Sequence, residues 1–227
     1  KILSMLPNFF TFVFVLLTNL WIWKIFSYNL LLGFLVLLST VSLYLHLRND
    51  KTTSLKVLLF LSYTLLLLLQ WRTTSAYSLT KLDNDQKRVQ QMRLNEYPPV
   101  SIQIKDKTIW IPIAHWFEGR VETISLFRMK DNFSESLDPM LYFFANHPRE
   151  RVGVEEFEKF PYILLPFFLV GIFSKKFKIK SKVFVFCLLA PIILVTFIGN
   201  NNRLGPFSLF PFITVTAAYG LWLTNVR

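Results

Sequence analysis

The sequence predicts a membrane all-α protein: a six-span helical bundle with a small extracytoplasmic α+β module inserted between spans three and four. Three observations predict it. Hydrophobic residues make up 53% of the chain, 24 of them Phe, and they are gathered in six runs rather than spread, which is how membrane segments read. A single polar stretch of 88 residues, 73–160, divides three of those runs from the other three. The net charge of +11 sits almost wholly at the flanks of the runs. The domains are therefore residues 1–72 (spans 1–3), 73–160 (the module) and 161–227 (spans 4–6).

The first run, 7–23, has only Thr11, Thr18 and Asn19 as polar side chains beyond Asn8 at its edge and ends in Trp21 and Trp23, which suit an interfacial aromatic belt. It continues past Trp21 without a small-residue cleavage site and reads as a span, not a leader. The chain starts at Lys1, as a processed protein or a fragment does. Residues 24–28 form a tight connection. Span two is 29–47, with Ser39, Thr40 and Ser42 available for bonds to backbone or to a neighbouring helix. Residues 48–54 make a polar turn, and span three, 55–71, is almost pure leucine over 65–69. These runs lie at the lower end of what crosses roughly 30 Å of hydrocarbon at about 1.5 Å per residue.

After the module, 161–174 is a short run with Pro161 and Pro166, taken as a span in preference to a re-entrant segment. Span five is 183–199, with a kink expected at Pro191. Span six is 205–223. Cys187, the one cysteine, falls inside span five and reads as a small buried hydrophobe, and a lone cysteine excludes an intramolecular disulfide.

Charge sets the orientation. The module carries 12 Lys/Arg against 13 Asp/Glu, while the other 13 Lys/Arg face only Asp50. Basicity at membrane flanks points to anionic lipid, not to nucleic acid. Lys175, Lys176, Lys178, Lys180 and Lys182 crowd one short connection, which places it in the cytoplasm. Alternation then puts both termini inside the cell (plasma) membrane and residues 73–160 outside.

Within the module, 82–96 reads as a helix capped by Asp83 or Asn84 and stopped by Pro98-Pro99. Residues 100–105 and 108–114 alternate polar and apolar around Asp106-Lys107, the pattern of a β-hairpin. Residues 121–130 read as a third strand, with Ser125, Phe127 and Met129 on one face. Asp138-Pro139 begins a helix over 140–146, stopped by His147-Pro148.

Three constellations can carry chemistry. In residues 115–120, His115 and Glu118 share a helical face, which suits a proton-transfer pair or part of a metal site; the competing reading is an aromatic turn closed by Glu118 and Arg120. In residues 147–151, His147, Arg149 and Arg151 stand just before a span, where arginine forks match a lipid phosphate; the competing reading is a polar connection paired with Glu155, Glu156 and Glu158. The acids Asp131, Glu135 and Asp138 suit the base of a lipid-linked transferase, or simply a loop and a helix cap. Asn132-Phe133-Ser134 matches a glycosylation sequon. No Gly-rich phosphate loop, zinc-type cysteine pair or nucleophile elbow is present, so neither a cofactor nor a metal is expected.

Two functions fit. The leading one is a polytopic membrane protein whose extracytoplasmic module binds a protein partner or a lipid head group near the bilayer, through Arg120, Arg149 and Arg151 outside, with the lysines at 175, 176, 178, 180 and 182 on cytoplasmic anionic lipid. The alternative is an integral membrane transferase or hydrolase, glycosyltransferase-like, acting on a lipid-linked phosphate with His115, Glu118, Asp138 and His147 as catalytic candidates. An enzyme gathers 115, 118 and 147–151 on one cleft. A binding module scatters them and exposes an apolar patch over 140–144.

Overall fold

The computed structural model describes residues 8–48, 53–74, 79–82, 84–96, 100–111, 121–144, 157–174 and 182–225. The fold is mostly helical with one two-stranded sheet. Among the described residues, three helical segments are long and apolar enough to cross a membrane: α3 (Leu30–Arg48), α4 (Thr53–Thr73) and Phe207–Asn225, a short 3-10 turn running into α10 (Phe210–Asn225). A bent pair, α1 (Phe9–Leu17) and α2 (Leu20–Tyr28), makes a fourth if counted as one span. The two other apolar segments are shorter: Tyr162–Phe173, containing α8 (Leu165–Phe173), and α9 (Lys182–Ile198). These features mark a membrane protein.

The first span departs from the sequence expectation. It is broken at Thr18-Asn19, the two halves meeting at 59°. Thr18 turns its hydroxyl back onto the Phe14 carbonyl at 2.9 Å, and Asn19, in extended conformation, caps α2 by accepting from Trp21 N–H at 2.9 Å. The expected connection at 24–28 is instead helical, so Lys24 lies inside α2; the turn is the single residue Asn29, whose side chain caps α3 through Leu32 N–H at 3.1 Å.

α10 is the centre of the bundle. Every residue from Phe210 to Gly220 is buried, and α1, α3, α8 and α9 pack around it, with α4 against α3 and α9. The approach of α8 to α10 depends on two glycines. A Cβ on Gly220 would lie 1.7 Å from the Phe167 carbonyl oxygen, and one on Gly171 would lie 2.3 Å from the Thr216 carbonyl oxygen. Such small-residue contacts let membrane helices touch backbone to backbone, where van der Waals packing drives association.

Residues 73–160 contain α5 (Asn84–Glu96) and a hairpin of β1 (Val100–Ile104) and β2 (Lys107–Ile111), with Ile102 opposite Ile109 as the alternation requires. The turn is Lys105-Asp106, one residue earlier than expected, with Lys105 at φ 55. The third strand is absent: residues 121–130 belong to α6 (Val121–Leu137), a helix packed on α9. A helix satisfies its own backbone beside an apolar surface, whereas a third strand leaves an open edge. The helix expected over 140–146 is confined to α7 (Met140–Phe143), with Phe144 already extended and 145–146 outside the described residues.

Candidate functional site: a buried lysine at the helix break

The break between α1 and α2 places α2's first turn against residues 159–160. Trp21 N–H, freed from a continuous helix, donates to the Lys159 carbonyl at 3.0 Å. The indole N–H of Trp21 reaches across to the Leu204 carbonyl at 2.7 Å. Next along, Phe160 N–H donates to the Tyr142 carbonyl at 2.8 Å. Residues 159–160 therefore tie α2 to α7.

Lys159 itself is 2% exposed. Its ammonium donates to the Leu141 carbonyl at 2.7 Å and lies 5.9 Å from the Trp21 ring centroid and 5.1 Å from that of Phe157. Its stem runs over Gly205, at φ +70, where a Cβ would sit 2.7 Å from Lys159 Cε. Buried ammonium groups need such company, because leaving water is costly without compensating partners. A second ammonium, Lys24 of α2, lies 4.0 Å from the Phe157 centroid. Two cations distant in sequence thus converge on one ring.

Aromatic packing fixes the layer beneath. Trp21 stands edge-on to Phe160 at 5.8 Å and to Phe210 at 5.6 Å, and Phe143 contacts Phe160 at 5.5 Å and Phe168 at 5.4 Å. Leu141, Tyr142 and Phe143 are buried here, so the apolar patch expected to be exposed over 140–144 is part of the core, with only Met140 turned outward. The Tyr142 hydroxyl donates to the Ser136 carbonyl at 2.6 Å. Burial first, and the charge of Asp138 second, hold its phenol above the ordinary range.

A polar belt continues from this point along the loop end of α4. Gln70 accepts from Ser208 N–H at 3.3 Å and donates to Thr74 Oγ1 at 3.1 Å. Asn202 donates to Thr73 Oγ1 at 3.0 Å and accepts from Leu204 N–H at 2.8 Å. On α6, Arg128 donates to Gln86 of α5, and Asn132 donates to the Thr196 carbonyl of α9 at 3.1 Å. That bond, with Asn132 6% exposed, leaves little room for a glycan in this fold and counts against the sequon reading.

Of the residues singled out from sequence, Asp138 is half-buried and acts as a cap, accepting from Met140 N–H at 2.9 Å. Lys182 is exposed at the start of α9. His115, Glu118, Arg120, His147, Arg149, Arg151, Lys175, Lys176, Lys178 and Lys180 lie outside the described residues. Lys24, Arg128 and Lys159 were missed because each counted as a solvated charge. The aromatic flanks of Lys159, Phe157 and Phe160, were the available signal. Among the described residues, no three His, Cys, Asp or Glu side chains gather as metal ligands. Comparison with protein-family models, with curated proteins and with solved structures finds no match to this chain.

Proposed function

We propose that this chain is an integral membrane protein that binds a phospholipid or lipid-linked phosphate head group at its outer face. In this reading α1–α2, α3, α4, Tyr162–Phe173, α9 and Phe207–Asn225 are six membrane segments. Both termini are cytoplasmic, and residues 73–160 are extracytoplasmic. The shortness of Tyr162–Phe173 is consistent with a segment buried against α10 and extended by the flanking aromatics. The lysines from 175 to 182 hold the opposite, cytoplasmic face against anionic lipid.

The observation that carries the head-group reading is the convergence of Lys24 and Lys159 on Phe157. Two ammonium groups on one ring concentrate positive potential at this edge of the bundle, and in a membrane the phosphates of lipid head groups are anions such a potential attracts. Arg120, Arg149 and Arg151, from the same outer segment, are proposed to join them.

Native mass spectrometry of the detergent-purified protein tests this. Wild type is expected to retain an anionic lipid that Lys24→Gln loses, with thermal melting of the two proteins nearly equal. Lipid retained equally by both overturns the reading.

A further inference from the structure

Helix α6 is inside out. Between residues 123 and 137 its buried side chains are Arg128, Asn132, Glu135 and Ser136, all polar. Its exposed side chains are Leu126, Phe127, Lys130, Phe133, Ser134 and Leu137. At 3.6 residues per turn, Leu126, Phe133 and Leu137 fall in one line and Arg128, Asn132 and Glu135 fall opposite. A helix lying on a protein beside water shows the reverse order, apolar stripe inward and polar face outward. The observed order is the favourable one where the exterior is hydrocarbon and the protein side is the more polar of the two.

The neighbouring helix supports the same environment. α6 packs on α9, and the bond from Asn132 to the Thr196 carbonyl holds them together. Leu189, Ile193 and Phe197 of α9, spaced four apart, make an exposed apolar stripe, and Phe197 directly follows Thr196. Two helices packed on each other thus both expose side chains that fit acyl chains. Lys130, the one charge among the exposed side chains of α6 between residues 123 and 137, has a stem long enough to reach the interface.

We infer that α6 is embedded in the outer leaflet beside α9, with Leu126, Phe133 and Leu137 among the lipid acyl chains. The segment 121–137 is then part of the membrane domain, not of a water-borne module. This rests on the membrane reading proposed above, and the experiment separates the two.

Wild-type protein is reconstituted in phosphatidylcholine vesicles containing a phosphatidylcholine with a photoactivatable diazirine in its acyl chain. After illumination and digestion, adducts are mapped by mass spectrometry. Phe60, Leu61, Leu65 and Leu68, exposed on α4, serve as the internal reference. The expected result is adducts at Leu126, Phe133 and Leu137 in yield comparable to that on α4. Labelling of α4 with none on α6 overturns the inference and leaves the membrane reading standing; a second copy or a protein partner covering α6 gives that same negative result. Labelling of neither overturns both.

Discussion

Trp21 and Lys159 meet across 138 positions of sequence: the Trp21 N–H donates to the Lys159 carbonyl at 3.0 Å, and the Lys159 ammonium lies 5.9 Å from the Trp21 ring centroid. The break at Asn19 makes this contact possible. In an unbroken helix the Trp21 N–H would bond to the Leu17 carbonyl. Here that carbonyl accepts from the indole N–H of Trp23 at 3.0 Å instead, so the two groups of that lost bond are both satisfied. The bend thus joins the N-terminal helices to the end of the segment 73–160.

Trp21 is consequently the residue whose loss should cost most at this junction. It is fully buried, so Trp21→Ala removes a large side chain and leaves a cavity, a change that costs about 3–5 kcal/mol. Trp21→Phe keeps part of the packing but strands the Leu204 carbonyl, at about 1–3 kcal/mol. Thermal melts in detergent should rank wild type above the Phe variant and the Phe variant above Ala. Equal melting of Ala and wild type would show that the junction does not contribute to stability.

The two close glycine contacts differ in what they meet, and this gives a paired prediction. On Gly220 a Cβ meets backbone, the Phe167 carbonyl oxygen at 1.7 Å and Gly171 N at 2.9 Å. On Gly33 a Cβ meets only the Phe26 side chain, Cγ at 2.7 Å included, so Phe26 must change rotamer while the backbones can stay in place. Gly220→Ala must separate α8 from α10 and should cost more than about 3 kcal/mol, whereas Gly33→Ala should stay nearer 1 kcal/mol. Reversal of that order in melting experiments would contradict the helix contact described.

Helices α3 and α4 were legible to within a few residues because long runs of Leu, interspersed with occasional Val and Phe, leave a single reading. The bend at Asn19 was not, because it turns on one cap bond and a tertiary acceptor at Lys159 that sequence spacing does not reveal. α6 was misread because Ser125, Phe127 and Met129 alternate over a short window, while the line through Leu126, Phe133 and Leu137 emerges only over a longer one. Lys159 and Arg128 were hidden because charge in a polar stretch reads as solvated until tertiary structure buries it. The candidates at 115, 118, 120, 147, 149 and 151 remain sequence readings.

Asn132 separates a motif from a site. Its amide donates to the Thr196 carbonyl and the residue lies within a regular helix, so expression in a glycosylating host should leave it unmodified. Treatment with an amidase that removes N-glycans should not change the protein's mobility; a shift abolished by Asn132→Gln would refute the placement of α6. Asn132→Ala should cost about 0.5–1.5 kcal/mol by removing the bond to α9.

Tyr142 supplies a pH dependence of definite sign. Burial and Asp138 raise its phenol above the ordinary value of 10.0. As pH rises through that value, the unfolded chain releases the proton while the folded chain keeps it. The unfolded state then binds fewer protons, so stability falls with rising pH and is unaffected well below 10.0. Tyr142→Phe removes this slope but loses the bond to the Ser136 carbonyl, worth about 1 kcal/mol. The variant should therefore melt below wild type at neutral pH, and the difference should shrink or reverse as the solution becomes strongly alkaline. Curves that stay parallel across that range would mean that the Tyr142 hydroxyl reaches water in the folded protein, contrary to its burial against Trp21 and Ser136.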